Sequence, residues 1–304
     1  MKEIVKEKHF KMRVLITGID GFTGVYLERL LSFQGFEVFG TTIGKPTTHT
    51  HVICDLTKIE QVSSVLNKIV PDYIINLAAI SFVAAEPMKM YNVNVFGTLN
   101  ILEALISLNQ FPRKIILASS AAVYGNSGGS LSEDNSTFPV NHYGNSKLAM
   151  ENMTRNYFEK LKIIIVRPFN YTGAGQEQHF LIPKIVSHFR EKKKSIELGN
   201  VNVFREYNNV NDIVDVYVKL MLSDLHSQTF NLCSGKSYSI SQILNALTEM
   251  TKHNIVVKTN PKFVRKNEIV DLKGDPSKIF DFLGINSFPH SIEDTLLSML
   301  NENP

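Results

Sequence analysis

Residues 13–24 read Arg13-Val14-Leu15-Ile16-Thr17-Gly18-Ile19-Asp20-Gly21-Phe22-Thr23-Gly24. A short, β-branched, continuously apolar run that stops at glycine predicts a buried strand. Over residues 22–33 the apolar positions recur at helical spacing and Gly35 ends the run, which predicts a helix. The glycines Gly18, Gly21 and Gly24 therefore sit where a strand gives way to a helix. The first permits a tight turn, the second lets backbone approach a pyrophosphate, and the third lets helix and strand pack closely. The helix start offers unpaired N–H groups and a positive dipole end to an anion. An ordinary turn explains one glycine here. Three at this spacing, in the first such unit of the chain, predict a dinucleotide site.

The same alternation continues outward. Residues 37–40 predict a second strand, 59–69 a helix with Pro71 beyond its end, and 73–77 a strand. A longer helix is expected over 91–108, a strand over 114–118, a helix over 143–161 and a strand over 163–166. Short apolar strands alternating with helices predict a doubly wound α/β fold, a parallel sheet covered on both faces. Past Arg167 the rhythm weakens into isolated helices near 182–191, 213–222 and 240–250. The expected division is a dinucleotide-binding domain over 12–170 and a smaller, mainly substrate-binding lobe over 171–304, with some segments returning to the first.

Composition narrows the function class. The chain has 304 residues, 43% apolar, enough for a large core. A net charge of +3 with 20% charged residues argues against a nucleic-acid partner, and Lys192-Lys193-Lys194 reads as a solvated helix end. Cys54 and Cys233 each stand beside apolar residues and read as small buried hydrophobes, with neither a disulfide framework nor a metal site expected. No apolar run approaches the roughly 20 residues that span a bilayer. The charged start, residues 1–11, has no signal-peptide core and is expected to fray on the surface. A soluble, cytoplasmic protein with no membrane partner follows.

Cofactor choice is read from the end of the second strand. An Asp or Glu there accepts the ribose hydroxyls of NAD. Here the segment is Thr41-Thr42-Ile43-Gly44-Lys45, without a carboxylate. Hydroxyls and a lysine suit a 2′-phosphate, so NADP is expected over NAD. Asp55, after the third strand, is expected to reach the adenine amine or to cap the following helix.

Tyr143-Gly144-Asn145-Ser146-Lys147 places a phenol and an ammonium on one helix face. A neighbouring lysine favours the phenolate and lowers the phenol pKa. Such a tyrosine exchanges a proton with a carbinol or carbonyl oxygen. Upstream, Ser119-Ser120-Ala121-Ala122-Val123-Tyr124-Gly125 follows the fifth strand at the sheet's carboxyl edge, where a serine can polarise that oxygen.

With these motifs in place the chain resembles the extended short-chain dehydrogenase/reductase family. The carriers are Thr17 to Gly24, Asn76-Leu77-Ala78-Ala79, Ser119 to Gly125, Tyr143 to Lys147 and Arg167-Pro168-Phe169-Asn170, and the likeness covers nearly everything after Met12. It implies a Rossmann-like fold. It also implies catalysis by Ser120, Tyr143 and Lys147, with Lys147 also holding the nicotinamide ribose. Cofactor contacts fall on Gly18, Gly21, Phe22, Thr23, Gly24, Thr42, Asp55 and Leu56, then on Leu77, Ala78, Ala79, Tyr143, Lys147 and Pro168. Asn94 matches the family asparagine that supports the active-site helix and a water relay. Family dimers pair their two long helices, here 91–108 and 143–161, so a homodimer through a four-helix bundle is expected.

The family holds dehydratases, epimerases, decarboxylases and reductases. Its 4,6-dehydratases carry an acid pair where this chain has Ala121 and Ala122, which cannot transfer protons, so dehydration is not expected. Arg167 to Gln176 is similar to the segment in GDP-6-deoxy-4-keto-mannose reductases and GDP-mannose dehydratases, with Ala174 where those enzymes usually have Pro. Leu198-Gly199-Asn200, Arg205-Glu206-Tyr207, Asn231 to Gly235, Arg265 to Glu268 and Gly274-Asp275-Pro276 continue the likeness. It implies Arg205 and Arg265 on a diphosphate, which suits the guanidinium fork, and Glu268 on the nucleoside ribose. Ser81, Ser120, Asn170 and Lys184 complete the expected substrate contacts. The expected reaction is reduction of a C4 ketone on a GDP-linked 4-keto-6-deoxy sugar by NADPH or NADH. The alternatives are the same reductase acting on a CDP- or dTDP-linked or a heptose substrate, an NAD-dependent 4-epimerase, and a non-catalytic dinucleotide sensor, against which the complete Ser120, Tyr143 and Lys147 set speaks.

Overall fold

Strand and helix alternate from β1 (Arg13–Thr17) through α1 (Phe22–Phe33), β2 (Glu37–Thr42), β3 (His51–Ile53), α2 (Ile59–Ile69) and β4 (Tyr73–Asn76). The structure is a computed structural model that describes residues 11–81, 85–263 and 269–302. The start of the charged leader, Arg265 and Glu268 lie outside the described residues. A short α3 (Pro87–Tyr91) runs through a π-helical turn (Asn92–Gly97) into α4 (Thr98–Ser107). The expected helix at 91–108 thus begins earlier, because Pro87 is accommodated in its first turn. Next come β5 (Lys114–Ala118), a 3₁₀ turn (Ala121–Tyr124), β6 (Gly129–Leu131), α5 (His142–Thr154) and β7 (Ile163–Pro168). The helix expected to reach residue 161 tightens instead into a 3₁₀ turn at Arg155–Tyr157.

The remaining elements are β8 (Tyr171–Thr172), α6 (Leu181–Arg190), β9 (Ser195–Leu198), β10 (Phe204–Arg205), β11 (Asn208–Asn209), α7 (Val210–Leu222) and β12 (Gln228–Leu232). They are followed by β13 (Tyr238–Ser239), α8 (Ile240–Thr251), β14 (Val256–Thr259), β15 (Asp271–Gly274), α9 (Ser277–Leu283) and α10 (Ile292–Leu300).

Seven parallel strands form one sheet in the order β3-β2-β1-β4-β5-β7-β12. Successive side chains point to opposite faces. Val14, Ile16, Ile75, Ile116 and Ile164 pack under α1, α7 and α9, against Leu27, Leu31, Ile213 and Ile279. Leu15, Ile74, Ile115, Leu117 and Ile163 pack under α2, α4 and α5, against Leu66, Leu102, Leu105 and Met150. Burial on both faces is why the strands read as unbroken apolar runs. A third core, with Ile185, Phe189, Ile196, Leu247 and Leu296, joins α6, α8, α10 and β9. Strand order reverses between β1 and β4, which opens a crevice at the carboxyl ends of those strands.

Candidate active site

The glycine loop sits at that crevice. Gly18 has φ +69°, and a Cβ there would stand 3.0 Å from Ala78 Cα. A Cβ on Gly24 would stand 2.4 Å from the Ile19 carbonyl oxygen, so only glycine lets α1 pack this closely on the loop. Gly18 N and Ile19 N donate to Thr41 O at 3.0 and 3.2 Å, which holds the loop against β2. Gly21 is the exposed N-cap of α1 and brings no side-chain cap, so the first-turn N–H groups lack a side-chain partner. Close backbone approach and an uncapped helix start fit a dinucleotide pyrophosphate.

Around the loop, Phe22 stacks on Tyr171 at 6.1 Å, and Thr23 Oγ1 is 2.7 Å from the Tyr171 hydroxyl. Leu77 N and Ala78 N donate to Thr17 O and Thr17 Oγ1 at 3.2 and 3.3 Å, with Ala79 half-buried beyond them. Leu56 is buried, and its carbonyl accepts from Asn100 Nδ2 at 2.7 Å.

On the adenosine side the structure bears on Thr42 and corrects one reading of Asp55. The Thr42 hydroxyl is engaged within the chain. Its proton goes to Asp20 Oδ2 at 2.6 Å, and it accepts from Gly44 N at 2.9 Å. Asp55 does not cap α2, whose N-cap is Lys58. Its Oδ1 accepts from Thr57 N and Thr57 Oγ1 at 3.0 and 2.7 Å, and this hydrogen bonding holds its carboxyl below the usual carboxylate range.

Ser120 and Tyr143 stand together at the carboxyl edge of the sheet, and Lys147 lies one turn farther along α5. Ser120 caps the 3₁₀ turn, its Oγ accepting from Ala122 N at 3.1 Å, and it stands near enough to the Tyr143 phenol to lower its pKa. Asn141 caps α5 by accepting from Gly144 N at 2.9 Å, which fixes the turn that carries Tyr143. Lys147 is 4% exposed, and its Nζ donates to Ala118 O at the end of β5 at 2.7 Å.

The electrostatics reverse the simple reading of the Tyr143–Lys147 spacing. Burial pushes the Tyr143 phenol up to about 12; the Ser120 side chain opposes this and Tyr171 adds to it. Burial also pulls the Lys147 ammonium down to about 8, with Glu151 opposing. Desolvation dominates both shifts, and the Lys147 Nζ is committed to a backbone carbonyl.

Behind this trio lies a buried polar network that motif reading passed over. Arg167 Nε and Nη2 donate to Glu151 at 2.9 and 2.6 Å, and Ser119 Oγ donates to the same carboxylate at 2.5 Å. Arg167 Nη1 donates to the Tyr124 hydroxyl at 3.0 Å, which in turn donates to Asn231 Oδ1 at 2.7 Å. The Glu151 carboxylate raises the Arg167 pKa against the pull of burial. The signal in the sequence was Glu151 four residues past Lys147 on one helix face, with an arginine ending an apolar strand. Asn94 lies in the π-helical turn. Its Oδ1 accepts from Ile80 N at 2.8 Å and its Nδ2 donates to Ile80 O and Ser146 Oγ at 3.1 and 2.9 Å, tying the turn to α5.

The substrate-side residues are less unified. Pro168 ends β7, Asn170 is exposed with its carbonyl accepting from Asn208 N at 3.0 Å, and Ser81 is exposed just past Ile80. Arg205 Nη1 donates to Phe204 O and Ile269 O at 2.7 and 2.9 Å. Lys184 is committed elsewhere, its Nζ donating to Glu197 O at 2.9 Å and lying 5.0 Å over the Phe263 ring. Tyr171 joins the two halves of the site: it contacts Phe22 and Thr23 of the loop and acts electrostatically on Tyr143. Among the described residues, no helix is long and apolar enough to cross a membrane.

Residues 15–290 match the family described as GDP-mannose 4,6 dehydratase. The chain is 41% identical over 276 residues to GDP-6-deoxy-D-talose 4-dehydrogenase of Aggregatibacter actinomycetemcomitans, covering 90% of this chain and 92% of the relative. GDP-6-deoxy-D-mannose reductase of Pseudomonas aeruginosa is 26% identical over 90% of this chain and 91% of its own. A crystal structure from Burkholderia cenocepacia, provisionally described as an epimerase, superposes with a TM-score of 0.90 at 36% identity, covering 95% of this chain and 97% of the other. A dinucleotide-type glycine loop, a Ser120–Tyr143–Lys147 constellation and likeness over most of the chain lead to one conclusion: the chain belongs to the GDP-mannose 4,6-dehydratase family of extended short-chain dehydrogenases/reductases, enzymes that modify nucleotide-linked sugars.

Proposed function

We propose that the chain reduces the C4 ketone of a nucleoside-diphosphate-linked 4-keto-6-deoxy sugar, with GDP as the carrier. The observation that carries this reading is a buried phenol beside Ser120, with two alanines where a dehydratase needs carboxylates. Gly18, Gly21 and Gly24 would hold the pyrophosphate of a reduced nicotinamide dinucleotide, which would supply the hydride. Ser120 and Tyr143 hold the ketone oxygen, and the Tyr143 hydroxyl gives its proton to the developing alkoxide. A phenol near 12 is fully protonated at neutral pH, the state a proton donor needs. Lys147, cationic below about pH 8, stabilises the phenolate left after transfer. Ala121 and Ala122 have no proton to move, so water elimination has neither acid nor base at those positions. The Aggregatibacter relative, named for oxidation at C4 of a GDP-6-deoxy sugar, supports the same carbon and the same carrier.

The test is loss of nicotinamide absorbance when the protein meets NADPH or NADH and a panel of GDP-, CDP- and dTDP-linked 4-keto sugars. Turnover is expected with a GDP sugar, and Tyr143→Phe should slow it by about 10²–10⁴-fold. No turnover with any member of the panel removes the reading. The 36% identical Burkholderia structure favours a second one, 4-epimerisation, in which the purified protein would carry its dinucleotide and need none added. Self-association through α4 and α5 belongs to the proposal. Exposed Met88 and Phe96 on the adjoining turns support it, and sedimentation as a monomer would refute it.

A further inference from the structure

The contact between Asp20 and Thr42 bears on which dinucleotide the site accepts. Asp20 belongs to the glycine loop, yet its Oδ2 takes the proton of the Thr42 hydroxyl at 2.6 Å, and Thr42 is the last residue of β2. Gly44 N donates to the same hydroxyl at 2.9 Å, and the loop is tied to β2 again through Thr41 O. A carboxylate is therefore fixed beside the carboxyl end of β2, although that end of the strand carries none itself. Asp20 is exposed, so the carboxylate remains open to a ligand.

In a doubly wound dinucleotide site the end of the second strand meets the adenosine ribose. An acid there accepts the ribose hydroxyls, and a cation there accommodates a 2′-phosphate. We infer that Asp20 reads the adenosine ribose hydroxyls and turns away a 2′-phosphate, so that the chain selects NAD over NADP. This reverses the expectation drawn from Thr42 and Lys45. The single proton of the Thr42 hydroxyl is spent on Asp20 and is not offered to a phosphate. A 2′-phosphate would bring about two negative charges next to a carboxylate. A ribose hydroxyl instead gains a charge-assisted hydrogen bond. The nearby cation, Lys45, is exposed, and a solvated lysine pairs weakly. The inference rests on the dinucleotide half of the proposed function and is independent of the sugar.

Calorimetric titration of the full chain with NAD⁺ and with NADP⁺, in the absence of any sugar, tests it. NAD⁺ is expected to bind at least about tenfold more tightly, the scale of ~1.4 kcal/mol. Asp20→Asn keeps an acceptor for the Thr42 hydroxyl and removes the charge. It should narrow the preference by about tenfold, chiefly by tightening NADP⁺. Wild-type protein that binds NADP⁺ as tightly as NAD⁺ overturns the inference. So does an Asp20→Asn protein that weakens both nucleotides equally, the signature of a mere loop anchor. Should that variant fail to fold, ADP against adenosine 2′,5′-bisphosphate on the wild type decides, with tighter bisphosphate binding refuting the idea. No turnover of any sugar beside a clear NAD⁺ preference would sink the sugar reading alone, whereas failure to bind either dinucleotide would sink both.

Discussion

Replacing Lys147 by methionine should make the protein more stable while ending its activity. Lys147 is 4% exposed, and its folded pKa is about 8 against an ordinary 10.5. At about 1.36 kcal/mol per pH unit, holding the charged form costs the folded state about 3 kcal/mol at neutral pH. Methionine has similar reach and no charge, but it abandons the Ala118 carbonyl, a loss of about 1 kcal/mol. The net expectation is about 2 kcal/mol of added stability near neutral pH. The sign with pH follows from linkage. The unfolded lysine binds its proton more tightly, so between about 8 and 10.5 the unfolded chain carries more protons and the wild type gains stability as pH rises. The variant lacks that gain. Its advantage should be full below about pH 8, shrink as pH rises, and give way toward 10.5 to a deficit of about 1 kcal/mol, the hydrogen bond to Ala118 that methionine cannot make. Urea denaturation of both proteins across that range is the assay. A variant less stable near neutral pH, or an advantage flat with pH, would refute the argument that burial of this charge is a cost borne for catalysis.

Glu151→Gln should destabilise the fold by about 3–5 kcal/mol in urea melts, because Arg167 would keep a buried charge without its counter-ion. The same change removes the carboxylate that raises the Lys147 pKa, so the alkaline limb of turnover should move to lower pH. In the wild type that limb should fall as pH passes about 8, where Lys147 loses its proton, while the phenol near 12 leaves the neutral range flat; a pH profile of kcat reports both. Gly24→Ala places a Cβ 2.4 Å from the Ile19 carbonyl, forces α1 off the loop, and should weaken dinucleotide binding about a hundredfold by titration.

Much of the fold was legible because both faces of the sheet are covered. β5 and the helices α1 and α2 fall on the residues their apolar patterns pick out, since unbroken burial leaves an unbroken signature. The two-residue strands β8, β10, β11 and β13 carry no period to read. The switch to π geometry at Asn92–Gly97 also left no mark in hydrophobic spacing. In the site, Ser120, Tyr143 and Lys147 were visible as local motifs. The long-range pairs around them were not. Asp20 meets Thr42, and Glu151 meets Arg167, only because the chain returns to the same sheet edge. The direction of the Tyr143 shift was hidden for a related reason: spacing reports which charges are near, whereas burial is set by everything packed around them.

The place of β12 in the sheet has a consequence for the protein while it is being made. Ile163–Val166 of β7 are buried in the finished molecule, with one edge paired to β5 and the other to β12. Strands β1 to β5 find neighbours among segments already synthesised, but β7 waits for Gln228–Leu232, which follow only after α6 and α7. Until those residues leave the ribosome, a hydrophobic strand presents an unpaired edge, a ready template for another copy. Rapid overproduction crowds many nascent chains into that interval. Loss of material to aggregates should then track the rate of synthesis, and a change that leaves the melting temperature untouched, such as slower induction, should recover it.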